Sequence, residues 1–229
     1  MKSYSTNDLA ELFVILTSVL FLIGCFASSY KTAKTLEPGQ VELGAGYIRL
    51  ENLENSEAEG IDLLDLNFRI GAAKGFDLGI AHTFDLTSES GSSGLSTFWG
   101  DFKVQLSNRE NEIGNVSFAL GLIKGYVYDP EIHITSIPLI LSIPATENLT
   151  PTLQYRLSLV GDDIFPTNFE NPRHEISLGL EYSFFNSSSD SWNPKIGFAV
   201  GTFNSLTGGE GDQGLILNLG IAIESPVRY

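Results

Sequence analysis

The chain has 229 residues, with 13 Lys and Arg against 28 Asp and Glu, for a formal net charge of −15. A chain this acidic is a poor partner for nucleic acid, whose phosphates must be neutralised by basic side chains. Its single cysteine, Cys25, excludes an intramolecular disulfide and a cysteine metal site, so the fold must close without covalent staples.

In chain order the first feature is an apolar run from Leu12 to Gly24. It falls short of the ~20 residues of a membrane-spanning helix and reads as the h-region of a signal peptide. The run ends in L-I-G-C, Leu22 to Cys25. This tetrapeptide resembles the lipobox of bacterial lipoproteins. The resemblance implies cleavage before Cys25 and lipid modification of Cys25. Phe26 is not the aspartate that often retains such proteins at the inner membrane, so delivery to the outer membrane is permitted. The n-region departs from the pattern, with Asp8 and Glu11 beside Lys2. The expected organisation is a lipoprotein signal peptide over 1–24, a polar tether over 25–39 and a barrel over 40–229.

Beyond residue 40 there is no 3.6-residue period, whereas period-two alternation recurs throughout. It predicts ten strands, near 40–50, 61–71, 76–86, 97–107, 115–126, 135–144, 151–160, 175–185, 195–204 and 214–224. Each is close to the ~9–11 residues of a tilted membrane strand. One parity is apolar, as in Leu64, Leu66, Phe68 and Ile70, or Ile176, Leu178, Leu180 and Tyr182. The other carries Asp65, Asn67 and Arg69, or Gln154 and Arg156.

Alternation alone does not separate a soluble sandwich from a membrane barrel. Three features favour the barrel. Connections alternate between short ones (72–75, 107–114, 145–150) and mostly longer ones (51–60, 87–96, 127–134, 161–174, 205–213), with 186–194 as an exception. An even strand number puts both chain ends on one side. Tyr47, Phe84, Phe98, Tyr126 and Phe203 lie toward strand ends, where interfacial girdles belong. The entry K-T-A-K-T-L-E-P-G-Q-V-E-L-G-A-G resembles that of bacterial outer-membrane barrel proteins. Tyr229 resembles their terminal aromatic, although Pro226 interrupts the alternation before it.

The expected fold is therefore all-β, an antiparallel transmembrane β-barrel of about ten strands. Its expected place is the outer membrane, in contact with outer-membrane lipid and anchored at Cys25. Its expected role is structural or that of a narrow channel for small solutes. The alternative is a surface binding module or adhesin that uses the barrel as a pedestal.

No cofactor or metal is expected, because His82, His133 and His174 lie in separate segments without ligand spacing. No enzyme is expected either. His174 and Ser177 are three residues apart on a strand and point to opposite faces, so base and nucleophile do not meet. His82 and Lys124 share the outward parity, and near the outer rim the Lys124 stem can snorkel toward headgroups. Glu51, Glu54, Glu57, Glu59 and Asp62 read as a solvated acidic loop without calcium-loop order.

The most informative constellation is the lumen charge network: Arg69, Asp77, Asp101, Lys103, Arg156 and Glu181. A hairpin closed at 72–75 sets Arg69 diagonal to Asp77. Similar reasoning across 161–174 sets Arg156 near Glu181. The charges line either a solute path or a salt-bridged plug. The plug is favoured, because ten strands enclose little more than the eight-stranded type that side chains fill. Small residues of the same parity, such as Gly44, Gly79, Gly121, Gly197 and Gly201, leave some interior space.

Overall fold

The computed structural model describes residues 32–53, 60–87, 96–107, 113–127, 131–161, 172–185, 191–205 and 213–226. The expected signal peptide, Cys25, three of the loop acids (Glu54, Glu57 and Glu59) and Tyr229 lie outside the described residues.

Ten strands form: β1 (Val41–Asn52), β2 (Ile61–Ala73), β3 (Phe76–Asp85), β4 (Thr97–Gln105), β5 (Ser117–Val127), β6 (Ile132–Ser142), β7 (Leu149–Gly161), β8 (Arg173–Ser183), β9 (Asn193–Ser205) and β10 (Gln213–Glu224). Each pairs antiparallel with its sequence neighbours, and β1 pairs with β10, from Glu42 opposite Glu224 to Asn52 opposite Gly214. The sheet is a closed barrel. Closure leaves no edge strand with unpaired backbone groups, which a spanning sheet in hydrocarbon requires.

The first hairpin shows how the sequence sets the register. β2 and β3 are joined by Lys74 and Gly75, and Gly75 has φ +75°, a conformation open to glycine at no steric cost. Such a short turn leaves the two strands little freedom to slide, so Arg69 faces Gly79 and Gly71 faces Asp77. The expected rhythm of short and long connections is weaker than the sequence suggested. β5 and β6 are joined by 128–131 alone, whereas 106–116 joins β4 to β5. Below, the end holding Val41 and Glu224 is the terminal end, and the opposite end is the loop end.

The two parities separate as expected. Outside, Ile80, Leu178, Leu180 and Phe198 are exposed, while inside Asp77, Lys103, Gln154 and Glu224 are buried. This inverts the usual preference of side chains for core and surface. A large apolar side chain left in water forgoes about 1.5–3 kcal/mol of burial free energy. A wall of them is stable only against hydrocarbon, and charge facing inward on the same strands is the pattern of a transmembrane barrel.

Several aromatics do lie on the outside toward the loop end. Phe84 packs on His82, and Tyr126 packs on His133. Tyr155 Oη lies 2.6 Å from His174 Nδ1. Tyr47 donates to Asp62, which also binds Arg49, and Arg49 binds Glu51 at 2.8 Å. Lys124 donates to Thr135 at 3.0 Å on the outer face. Phe203 departs from this belt. It shares its parity with Gly197, Ala199 and Gly201 and turns into the lumen.

Candidate functional site

The lumen has three tiers, and each follows from what the inward parity supplies at that height. At the terminal end, β2, β3 and β4 bring together four of the expected site residues. Arg69 binds Asp101 closely and lies 3.7 Å from Asp77, and Lys103 lies 3.2 Å from Asp77. All four are almost fully enclosed, with Asp77 at 0% exposure. Gly79 makes the room: a Cβ there would collide with Asp101 and Arg69.

The other two expected residues are not partners. Across β7 and β8, Arg156 faces Glu175, and the pair closes to 3.4 Å, whereas Glu181 faces Thr150. The expected Arg156–Glu181 neighbourhood fails because an eleven-residue connection, 162–172, does not fix where the strands start to pair. β8 begins at Arg173, opposite Ser158, two residues earlier than its alternation suggests.

Glu181 instead joins a second terminal-end cluster with Lys34, Glu42, Lys195 and Glu224. Lys195 Nζ lies 3.0 Å from Glu42 and closer still to Glu224. Gln40 donates to Glu224 at 3.1 Å. Glu42, Lys195 and Glu224 share the inward parity of Gly44, Gly197 and Gly220, so the signal for them was present in the alternation.

The segment 32–40, which holds the described part of the expected polar tether (25–39) and the first residue after it, is the largest departure. It lies inside the barrel. Ala33 N–H donates to Ser142 Oγ at 2.8 Å, Thr35 Oγ1 to Gln105 Oε1 at 3.0 Å, and Leu36 N–H to Asp77 Oδ1 at 2.9 Å. Lys103 donates to the carbonyls of Thr32, at 3.1 Å, and Lys34. Ala33 packs against Ala119 and Ile140, using space the small inward residues left. Burial pushes the Lys34 amine below its ordinary value, against the pull of Glu224.

Lys34 joins the charges of this tier, where four cations (Lys34, Arg69, Lys103, Lys195) face five carboxylates (Glu42, Asp77, Asp101, Glu181, Glu224). Buried charge is tolerated only when paired in this way. The cavity left among them is about 40 Å³, room for water but not for a solute. The middle tier is filled as well, by Gln154, Ser177, Ala199 and Asn218, all buried.

The loop-end tier is different. It holds a cavity of about 530 Å³ whose wall includes Ile48, Leu63, Ile123, Ile134, Phe203 and Ile216. Its floor carries Asp65, Asp101, Arg156 and Glu175. Trp99 stands in the wall, its Nε1 donating to Thr83 Oγ1 at 2.9 Å, and Thr83 donates in turn to Asp65 at 2.9 Å. The sequence signal for this cup was a lapse in alternation near strand ends, as in Ile61, Leu63 and Leu64, where both parities turn apolar.

Glycines opposite the two large rings keep the cup open. Gly125 faces Trp99 across β4 and β5, and Gly214 faces Phe203 across β9 and β10. A Cβ on either glycine would run into the ring, so each ring lies flat where a side chain would stand. Gly125→Ala is expected to force the indole off the wall at a cost of about 1–3 kcal/mol, the usual toll of overpacking. A urea titration of the refolded barrel reads this as a lower midpoint. Gly100→Ala, whose added Cβ meets nothing within 4 Å, is the control and stays near wild type.

Among the described residues, no group of three or more His, Cys, Asp or Glu is placed to hold a metal ion. His174 lies against Tyr155 on the outer face, while Ser177 is buried on the inner face, so the two do not approach.

No protein-family model matches the chain, and no curated protein sequence is similar to it. Among solved structures, the chain is similar to the CymD monoaromatic hydrocarbon channel, with 11% identity and a TM-score of 0.38 over 99% of this chain and 65% of that one. It is also similar to OccK11 (OpdR) of Pseudomonas aeruginosa, with 10% identity and a TM-score of 0.29 over 83% and 67%. A third is Ail, the attachment invasion locus protein of Yersinia pestis, with 7% identity and a TM-score of 0.28 over 82% and 99%. The chain thus spans about two thirds of the length of the first two.

Proposed function

We propose that this protein is an outer-membrane barrel held shut at its terminal end, with a structural or narrow-passage role governed by the segment 32–40. The observation that carries this is the seating of that segment in the lumen, bonded to Asp77, Lys103, Gln105 and Ser142. A permanently open pore of this width has no use for a charge-matched insert, and ~16–18 strands are the usual number for an aqueous channel. In this reading the terminal end faces the periplasm, and lipidation at Cys25 tethers the chain on the same side as the insert.

The full chain in a planar bilayer is expected to show no steady conductance, while a variant lacking residues 32–36 shows stepwise openings. Steady conductance by the full chain, equal to that of the deletion, would sink the gating role. Heat-modifiable migration and extraction only by detergent, also in Cys25→Ala, test the membrane assignment. A monomer soluble in plain buffer overturns it. The alternative role as a surface binding module is favoured by one feature, the cup at the loop end.

A further inference from the structure

We infer that the loop-end cup is a binding site for one small, neutral, apolar molecule of aromatic or alicyclic type. The inference needs the closed barrel but not the gating role of the segment 32–40.

Three observations converge on this class. The volume of about 530 Å³ falls in the range of small-molecule sites, about 300–1,000 Å³. Apolar side chains line this space on the inward parity, where lipid does not reach them. In the middle tier the space is filled, and at the terminal end the space that remains, about 190 Å³ beside Ser142, Thr150, Glu181 and Lys195, is lined mainly by polar and charged groups. Ile123 and Ile134 therefore present apolar surface to a space that none of the described residues fills. Trp99 and Phe203 add two ring faces held flat by Gly125 and Gly214, a fixed geometry against which a planar or cyclic ligand stacks.

The charge of the ligand follows from the floor. Arg156 is paired with Glu175, Arg69 with Asp101, and Asp65 accepts from Thr83 and Asn67. Each of these floor groups is already matched within the protein, and the remaining cation of the lining, Arg173, is exposed at the rim where β8 begins. An organic anion or cation seated on the floor has to break one of these pairs, whereas a neutral molecule need not. Trp99 is likewise committed to Thr83, so its ring face rather than its N–H meets the ligand.

The chain has two tryptophans, Trp99 and Trp192. Trp192 lies outside the cup, exposed near the terminal end. In full-chain protein carrying Trp192→Phe in detergent, nitrobenzene is expected to quench Trp99 with a saturable one-to-one component above the linear background of micelle partition. Ile134→Arg puts an unmatched charge in the wall, and Ser158→Phe fills the space. Either change weakens the saturable component at least tenfold while heat-modifiable migration is retained. Toluene displaces nitrobenzene, and decanoate at equal concentration does not.

Quenching that stays linear in the Trp192→Phe protein overturns the site, because it reports micelle partition only. Displacement by decanoate at lower concentration than toluene overturns the neutral class. Conductance by the full chain leaves this titration unchanged, so failure of the gating role and failure of the cup are read separately.

Discussion

Asp77→Ala is expected to destabilise the folded barrel by about 3–5 kcal/mol, the cost of removing one member of a buried ion cluster and stranding the rest. Asp77 is the hub of the terminal tier. It has no exposed surface, lies within ion-pair distance of both Lys103 and Arg69, and accepts the Leu36 N–H. Its loss leaves Arg69 with Asp101 but deprives Lys103 of its nearest carboxylate. Lys103 is then left with the carbonyls of Thr32 and Lys34 and, among the described residues, without its ion-pair partner. The midpoint of urea unfolding in detergent reports the stability, and bilayer conductance reports whether the inserted segment has loosened. Asp101→Asn should cost less, because Arg69 keeps Asp77. An Asp77→Ala barrel as stable as wild type would mean that the cluster is solvated and does not hold the insert.

The second large effect is expected at the seam. Glu42 and Glu224 face each other directly on the strands that close the barrel, and Lys195 bridges them. Like charges directly opposite on paired strands repel, and here both are inside the wall. Lys195→Met leaves two carboxylates facing one another with no cation between them. The expected cost is again about 3–5 kcal/mol, seen as conversion of the heat-modifiable band at a lower temperature. The triple variant Lys195→Met, Glu42→Gln, Glu224→Gln should recover most of the loss, since replacing a buried ion cluster as a whole is often near neutral. Failure of that rescue would place the cost in lost packing of the lysine stem rather than in charge.

How much of this was legible in the sequence depends on how tightly each feature is tied to its neighbours along the chain. The strands were legible because lipid on one side and charge on the other enforce a strict alternation, as in Leu64 to Ile70. The Arg69–Asp77 diagonal was legible because only Lys74 and Gly75 separate the two strands. Arg156 and Glu175 were not, because an eleven-residue connection leaves register to packing that the sequence does not display. The place of residues 32–40 was hidden for a different reason. Their partners lie on β2, β3, β4, β6 and β10, and the segment has no periodicity of its own to announce a buried face. The cup was half visible: Ile123, Ile134 and Phe203 break the polar inward parity, but whether such residues pack together or enclose space is decided by barrel width and by the two glycines under the rings.

The anchoring of residues 32–40 also orders the events of assembly. Reading back from the wall, Leu36 takes its partner from 41 residues away, Thr35 from 70, Ala33 from 109 and Gln40 from 184. Contacts of wide sequence separation form late, because the loop between them must first be ordered. As hairpins are added, Gly71 on β2 holds Gly39 and Gln40 through the backbone, β3 then takes Leu36, β4 Thr35 and β6 Ala33, and the Gln40 side chain reaches Glu224 only once β10 has come round to β1. The segment is therefore laid down with the wall rather than pushed in afterwards. An assembly stalled after β4 would grip Leu36 and Thr35 yet leave Ala33 unheld, so protection of the Ala33 amide from hydrogen exchange would serve as a clock for whether the barrel has grown as far as β6.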